Sequence, residues 1–142
     1  MFFGSFEHTL DDKNRLLIPS RLRGQVGSKL FIMKGYEGSL SIYPEAEFEK
    51  YLTKLESLPF ESKISRDIER ISLSSVFELE VDKANRIQIP TALINKYSIT
   101  KDVVVVGVLN HIEVWSLQKW NAYLKDNEAE FESKSEELLK NV

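Results

Sequence analysis

The sequence predicts a mainly β protein with peripheral helices, one chain folded as a closed barrel with approximate internal two-fold symmetry. Three observations predict it: a tandem repeat, strand-like segments bounded by turn residues in both copies, and a half too short to bury its own strands. Phe6–Pro19 (FEHTLDDKNRLLIP) aligns without gaps to Phe77–Pro90 (FELEVDKANRIQIP) at a constant offset of 71, with seven of fourteen positions identical. Leu10/Val81 and Leu16/Ile87 add two aliphatic exchanges. After a one-residue slip the match continues, setting Gly35 against Gly107, LSIY (40–43) against IEVW (112–115), Phe48 against Trp120, and Tyr51-Leu52 against Tyr123-Leu124. The repeats run over approximately 5–58 and 76–125 within one domain spanning 1–142, and 126–142 forms a tail. A unit of roughly 70 residues is too small to bury its own strands well, so the copies are expected to pair about a pseudo-two-fold axis.

Each copy reads in the same order. Phe6–Leu10 and Phe77–Val81 are short strands leading into a polar turn, Asp-x-x-Asn-Arg. Asn suits that turn because it tolerates left-handed backbone better than any residue but Gly. RLLIP and RIQIP resume as strands, each stopped by a proline that cannot donate to a ladder. Ser20 and Thr91 follow those prolines and are expected to cap short helical turns, Ser20–Gly24 and Thr91–Tyr97. A hydrophobic hairpin comes next, KLFIM with SLSIY in the first copy and VVVVGV with HIEVW in the second. Each copy closes with an amphipathic helix. Phe48, Tyr51, Leu52 and Leu55 take helical spacing behind Pro44, and Trp120, Tyr123 and Leu124 do so behind Ser116. Ile64, Ile68 and Ile71 mark a helix bridging the copies, and the tail from Glu128 is also read as helical.

Composition bounds the function. Hydrophobic residues at 42% and charged residues at 29% are a globular balance. The chain has no cysteine, which excludes disulfides, thiolate metal sites and cysteine nucleophiles and fits a reducing cytoplasm. No apolar run is long enough to span a bilayer, and MFFGSFEHTLDDK lacks the basic and apolar regions of a signal peptide. The net charge of −3 hides an asymmetry. Residues 126–142 hold six acids against two lysines, whereas Asp11–Lys34 holds two acids against six bases. A basic face with an acidic tail is compatible with nucleic acid but does not establish it.

The repeated Asp-x-x-Asn-Arg has two readings from its residues. In one, Asp11 with Arg15 and Asp82 with Arg86 simply shape a turn, for which an exposed pair is worth about 0–1 kcal/mol. In the other, each acid orients an arginine whose planar fork suits phosphate or a guanine edge. The two are compatible. FEHTLDDKNRLLIPSRLR, GYEGSLSIYPEAEFE and VDKANRIQIP together resemble the MraZ family over nearly the whole chain, with an intact Asp-x-x-x-Arg motif in each half. Each half also resembles the AbrB-like swapped-hairpin fold, which makes the expected architecture a double-split β-barrel.

The resemblance implies a bacterial transcription regulator, cytoplasmic and nucleoid-associated, assembled as a ring homo-oligomer. It implies binding to double-stranded promoter repeats of the division and cell-wall gene cluster that the family heads, usually as a repressor. Carried over by position, Arg15 and Arg86 are the DNA readers, Asp11 and Asp82 order their loops, and Lys13, Arg21 and Arg23 are basic contacts. Lys83, at the position of Asp12 in the first motif, is the basic contact within the second motif. Asn14 and Asn85 stand where the family often has Gly, keeping a left-handed turn at some conformational cost. Ala84 replaces Lys13, and Ile94 replaces Arg23, so the first copy is expected to dominate binding.

Rival chemistry has less support. His8 and His111 occupy unequal repeat positions and match no metal-ligand spacing. Asp11-Asp12 are neighbours on a turn, and the second copy has Lys83 in place of the second acid. No phosphate-cradling glycine loop or nucleophile elbow is present in the sequence. No catalytic residue, metal, cofactor, small-molecule substrate or membrane partner is therefore expected. The alternative is an AbrB-like protein-binding module, an antitoxin or scaffold whose loops grip a protein.

Overall fold

A computed structural model describes residues 1–141. In the first copy, β1 (Ser5–Thr9) and β2 (Arg15–Leu17) flank the first Asp-x-x-Asn-Arg turn. A 3-10 turn (Ser20–Gln25) leads to β3 (Lys29–Lys34), β4 (Leu40–Pro44) and α1 (Glu45–Glu56). The bridging segment is α2 (Lys63–Ser74). The second copy repeats the order as β5 (Phe77–Glu80), β6 (Arg86–Gln88), α3 (Thr91–Lys96), β7 (Asp102–Val108), β8 (His111–Ser116) and α4 (Leu117–Asn127). The tail is a 3-10 turn (Glu128–Glu130) followed by α5 (Phe131–Lys140).

Strand pairing exchanges elements between the copies. A six-stranded antiparallel sheet runs β1-β7-β8-β4-β3-β5, and β2 pairs with β6 as a separate two-stranded ribbon. The first strand of each copy thus leaves its own hairpin and joins the other's: Phe6 lies opposite Val105, and Phe77 opposite Ile32. Swapping the copies reverses the sheet order into itself. The axis passes through the pairs Leu16–Ile87 in the ribbon and Ser41–Glu113 in the sheet, each joining repeat-equivalent positions. The sheet ends at β1 and β5, so among the described residues hydrogen bonding does not run round into the single closed barrel expected from sequence.

Alternation along the strands supplies the core. Leu30, Ile32, Leu40, Ile42, Val103, Val105, Ile112 and Val114 face the ribbon's Leu16, Ile18, Ile87 and Ile89 in one buried cluster drawn from both copies. Each such side chain removed from water contributes about 1.5–3 kcal/mol before entropy is charged against it. The sheet's other face carries an aromatic triad per copy. Tyr43 sits 6.4 Å from Phe48 and 5.5 Å from Tyr51 beneath α1, while Trp115 sits 5.2 Å from Trp120 and 4.9 Å from Tyr123 beneath α4. The aromatic matches read from the sequence are thus matches of position.

Two local expectations are corrected. Ser20 and Thr91 are the first helical residues rather than caps; Pro19 and Pro90 hold the cap positions, and no side chain caps either end. Their carbonyls take the first free N–H groups, from Leu22 at 2.9 Å and from Leu93 and Ile94 at 3.0 and 3.1 Å. Gly35 and Gly107 are not equivalent either. Lys34 pairs with Leu40 and Gly107 with Ile112, so Gly107 stands where Lys34 does. The copies have slipped by a further residue at this strand, recovered in the shorter second hairpin. Gly107 is needed for another reason: a Cβ there would lie 2.8 Å from the Phe2 carbonyl carbon. That chain segment is clamped by paired hydrogen bonds between Phe2 and Leu109, both 2.8 Å.

Candidate nucleic-acid interface

Each motif turn is built by its aspartate. Asp11 Oδ1 accepts the backbone N–H groups of Lys13 (2.9 Å) and Arg15 (2.8 Å), and Oδ2 accepts Arg15 Nε at 2.6 Å. Asp82 repeats the pattern with Ala84 (2.8 Å), the Arg86 N–H (2.9 Å) and Arg86 Nε (3.1 Å). Asn14 and Asn85 take the left-handed conformation the sequence reading required, with φ of 58° and 59°. The first residue of β2 and of β6 is therefore an arginine whose Nε is engaged. Its two terminal nitrogens can still serve a bidentate acceptor. The Arg15 N–H lowers the Asp11 carboxyl most, and with the Arg15 side chain and the Lys13 N–H holds its pKa at about 2. Asp82 is lowered by the same set of contacts, led by the Arg86 N–H.

The ribbon brings the two turns together. Ile18 N–H donates to the Asn85 carbonyl and Ile89 N–H to the Asn14 carbonyl, both at 2.9 Å, so each turn is tied to the strand leaving the other. Arg86 Nη1 lies 3.9 Å from Asp11 Oδ2, and Gln88 Nε2 donates to the Lys13 carbonyl at 3.0 Å. Both arginines, both aspartates and both asparagines predicted from sequence thus converge on one surface.

The remaining basic residues are more dispersed. Lys13 and Lys83 are exposed on the turns. Arg21 is exposed on the 3-10 turn beside Met1, Phe3 and Phe6, whereas half-buried Arg23 donates Nε to the Ile18 carbonyl at 2.8 Å and braces that turn. Lys101, which no sequence motif marks, joins the first turn. Its carbonyl accepts the Leu10 N–H at 2.8 Å, and its Nζ lies 3.2 Å from Asp12. Ser28 makes the matching backbone contact to Val81 at 2.9 Å, so serine stands at the second turn where the first has Lys101. The two histidines have structural surroundings. Burial first, then the charge of Arg23, lowers the His8 pKa. His111 stacks on Tyr43 at 5.1 Å, and its Nε2 lies 3.1 Å from Glu113 Oε2. Hydrogen bonds from His111 and from Trp115 Nε1 outweigh the burial of Glu113, so its carboxyl titrates below the usual range.

Comparison with known proteins agrees with the doubled architecture. A family model described as "MraZ protein, putative antitoxin-like" matches twice, over residues 1–71 and 73–142. The chain belongs to the MraZ family. "Transcriptional regulator MraZ" of Desulforamulus reducens is 38% identical over 139 residues, covering 98% of each chain. The MraZ relatives from Oenococcus oeni and Clostridium beijerinckii are 39% and 40% identical over 138 residues, each covering 97% of this chain and 96% of the relative. Among the described residues no helix of this MraZ-family chain is long and apolar enough to cross a membrane.

Proposed function

We propose that this chain is a sequence-specific DNA-binding transcriptional regulator that represses its own division and cell-wall gene cluster by binding promoter repeats as a ring oligomer. The observation that carries this is the convergence of Arg15 and Arg86, each tethered through Nε, on the outward face of one two-stranded ribbon. A ribbon of that width enters the major groove, where arginine's fork matches guanine O6 and N7 or the flanking phosphates. Lys13, Lys83 and Lys101 surround it, with Arg21 and Arg23 on the adjoining turn. The relatives' name, transcriptional regulator, supports the same reading, and that role requires no catalytic site or cofactor. The shared core supports treating the two repeats as one domain, with the ribbon and sheet as the parts of a double-split barrel.

Apolar side chains left outside the core support self-assembly. Ile64 and Ile71 on α2 are 73% and 58% exposed, and Phe131, Leu138 and Leu139 on α5 are exposed as well. Ile64, Ile68 and Ile71 recur at helical spacing along one face of α2, and an exposed apolar stripe of this kind is a candidate interaction surface. Several readers held in one assembly gain through effective concentration what each lacks alone.

Titration against DNA from upstream of the chain's own gene and against scrambled DNA, across a salt series, tests the reading. The expected result is preference for the upstream DNA, with log K falling by about 0.9 per phosphate neutralised for each unit of log salt. Absence of binding to either DNA by assembled protein would favour the protein-binding alternative, an antitoxin or scaffold module.

A further inference from the structure

The ribbon's outward face is two-fold symmetric at two of its corners only. Pairing sets Arg15 opposite Gln88 and Leu17 opposite Arg86, on the face away from buried Leu16 and Ile87. Rotation about the Leu16–Ile87 axis exchanges Arg15 with Arg86, like for like. The same rotation exchanges Leu17 with Gln88, an apolar side chain for an amide. Arginine contacts alone would be the same whichever way the ribbon lay along a duplex. The other two corners would not.

Resting on the DNA-binding reading above, we infer that Gln88 and Leu17 are specificity-determining residues, Gln88 reading an adenine edge and Leu17 a thymine methyl, and that they give the reader its direction. Gln88 is exposed but held, because its Nε2 donates to the Lys13 carbonyl at 3.0 Å. One Nε2 hydrogen and the Oε1 acceptor stay free. Those groups match the N7 acceptor and N6 donor of adenine, and a side chain fixed beforehand loses less freedom on binding. Leu17 is 39% exposed on the same face. It can neither neutralise a phosphate nor hydrogen-bond a base, but an apolar contact with a thymine methyl needs neither property. The asymmetry extends to the flanks, where Lys13 is matched by Ala84 and Lys101 by Ser28.

Selection of binding sites from a randomised duplex pool, using full-length assembled protein, tests this. Wild type should yield a directional site with an adenine position whose replacement weakens binding about tenfold. Gln88→Leu should lose that one preference and keep the positions set by the arginines. Leu17→Gln, which places an amide at both corners, should add the matching adenine on the opposite strand and make the core of the site palindromic. Gln88→Glu keeps the size but presents only acceptors, and should shift the preference from adenine towards cytosine. If wild type selects a sequence and all three variants select that same sequence, the inference is overturned while the regulator reading stands. If wild type selects no sequence, the regulator reading fails and takes this inference with it.

Discussion

Asp11 accepts two backbone N–H groups and Arg15 Nε, and those contacts exist only in the folded turn. Its carboxyl is lowered from near 3.8 to about 2, so its stabilising contribution is complete above the ordinary carboxylate value and is lost as pH falls through about 2. Asp82 is shifted in the same direction and follows the same sign. The Lys13, Arg15, Ala84 and Arg86 amide resonances should therefore hold their positions from pH 8 to pH 5 and move only in acid; movement near pH 6 would contradict these contacts. Asn85 presents a separate case, because its φ of 59° is left-handed backbone that Asn adopts more readily than Ala. Asn85→Ala should lower unfolding free energy by about 1 kcal/mol in a denaturant titration, and Asn85→Gly should leave the midpoint close to that of wild type. These residues were legible in the sequence because their contacts lie within five positions. Gln88 and Lys101 were not, since their partners Lys13 and Asp12 lie 75 and 89 residues away and only strand exchange unites them.

The two-stranded ribbon depends on one central pair, Leu16 with Ile87, 1% and 2% exposed. Leu16→Ala removes packing from both halves at once and should cost about 2–5 kcal/mol in chemical denaturation. Ile87→Ala should cost a similar amount, and the double variant should depart from additivity because the side chains face one another. A thinner ribbon would also loosen the turns it carries. Gly107→Ala acts elsewhere, pushing against Phe2 and Phe3; hydrogen exchange should show loss of protection at Phe2 and Leu109 with the ribbon amides unaffected. Strands and helices could be located from sequence because alternation, prolines and aromatic spacing are local signals. Their partners could not. The offset of the repeat says that β1 and β5 are equivalent, but equivalent strands can pair within a copy or across copies with the same alternation. The Gly35–Gly107 mismatch has the same origin, since a slip within a hairpin is visible only through its cross-strand partners.

At the scale of the whole molecule, exchanged strands make the halves inseparable: β1 completes the second hairpin's sheet and β5 the first's. Neither copy should fold when expressed alone. The proposed assembly is separable from folding, because Ile64, Ile68 and Ile71 lie on α2 outside the core. Replacing all three with Ser should yield smaller, folded species in sedimentation and weaken binding to repeated sites far more than to a single site. If Arg15 and Arg86 act as one reader, a double-mutant cycle on affinity for the upstream DNA exposes their coupling. Arg15→Ala, Arg86→Ala and the double variant would be compared with wild type after confirming that all four assemble. Each single change should lower affinity about tenfold or more, and the double loss should be smaller than the product because both guanidiniums lie against Asp11. Wild-type affinity in either single variant would rule out a joint reader.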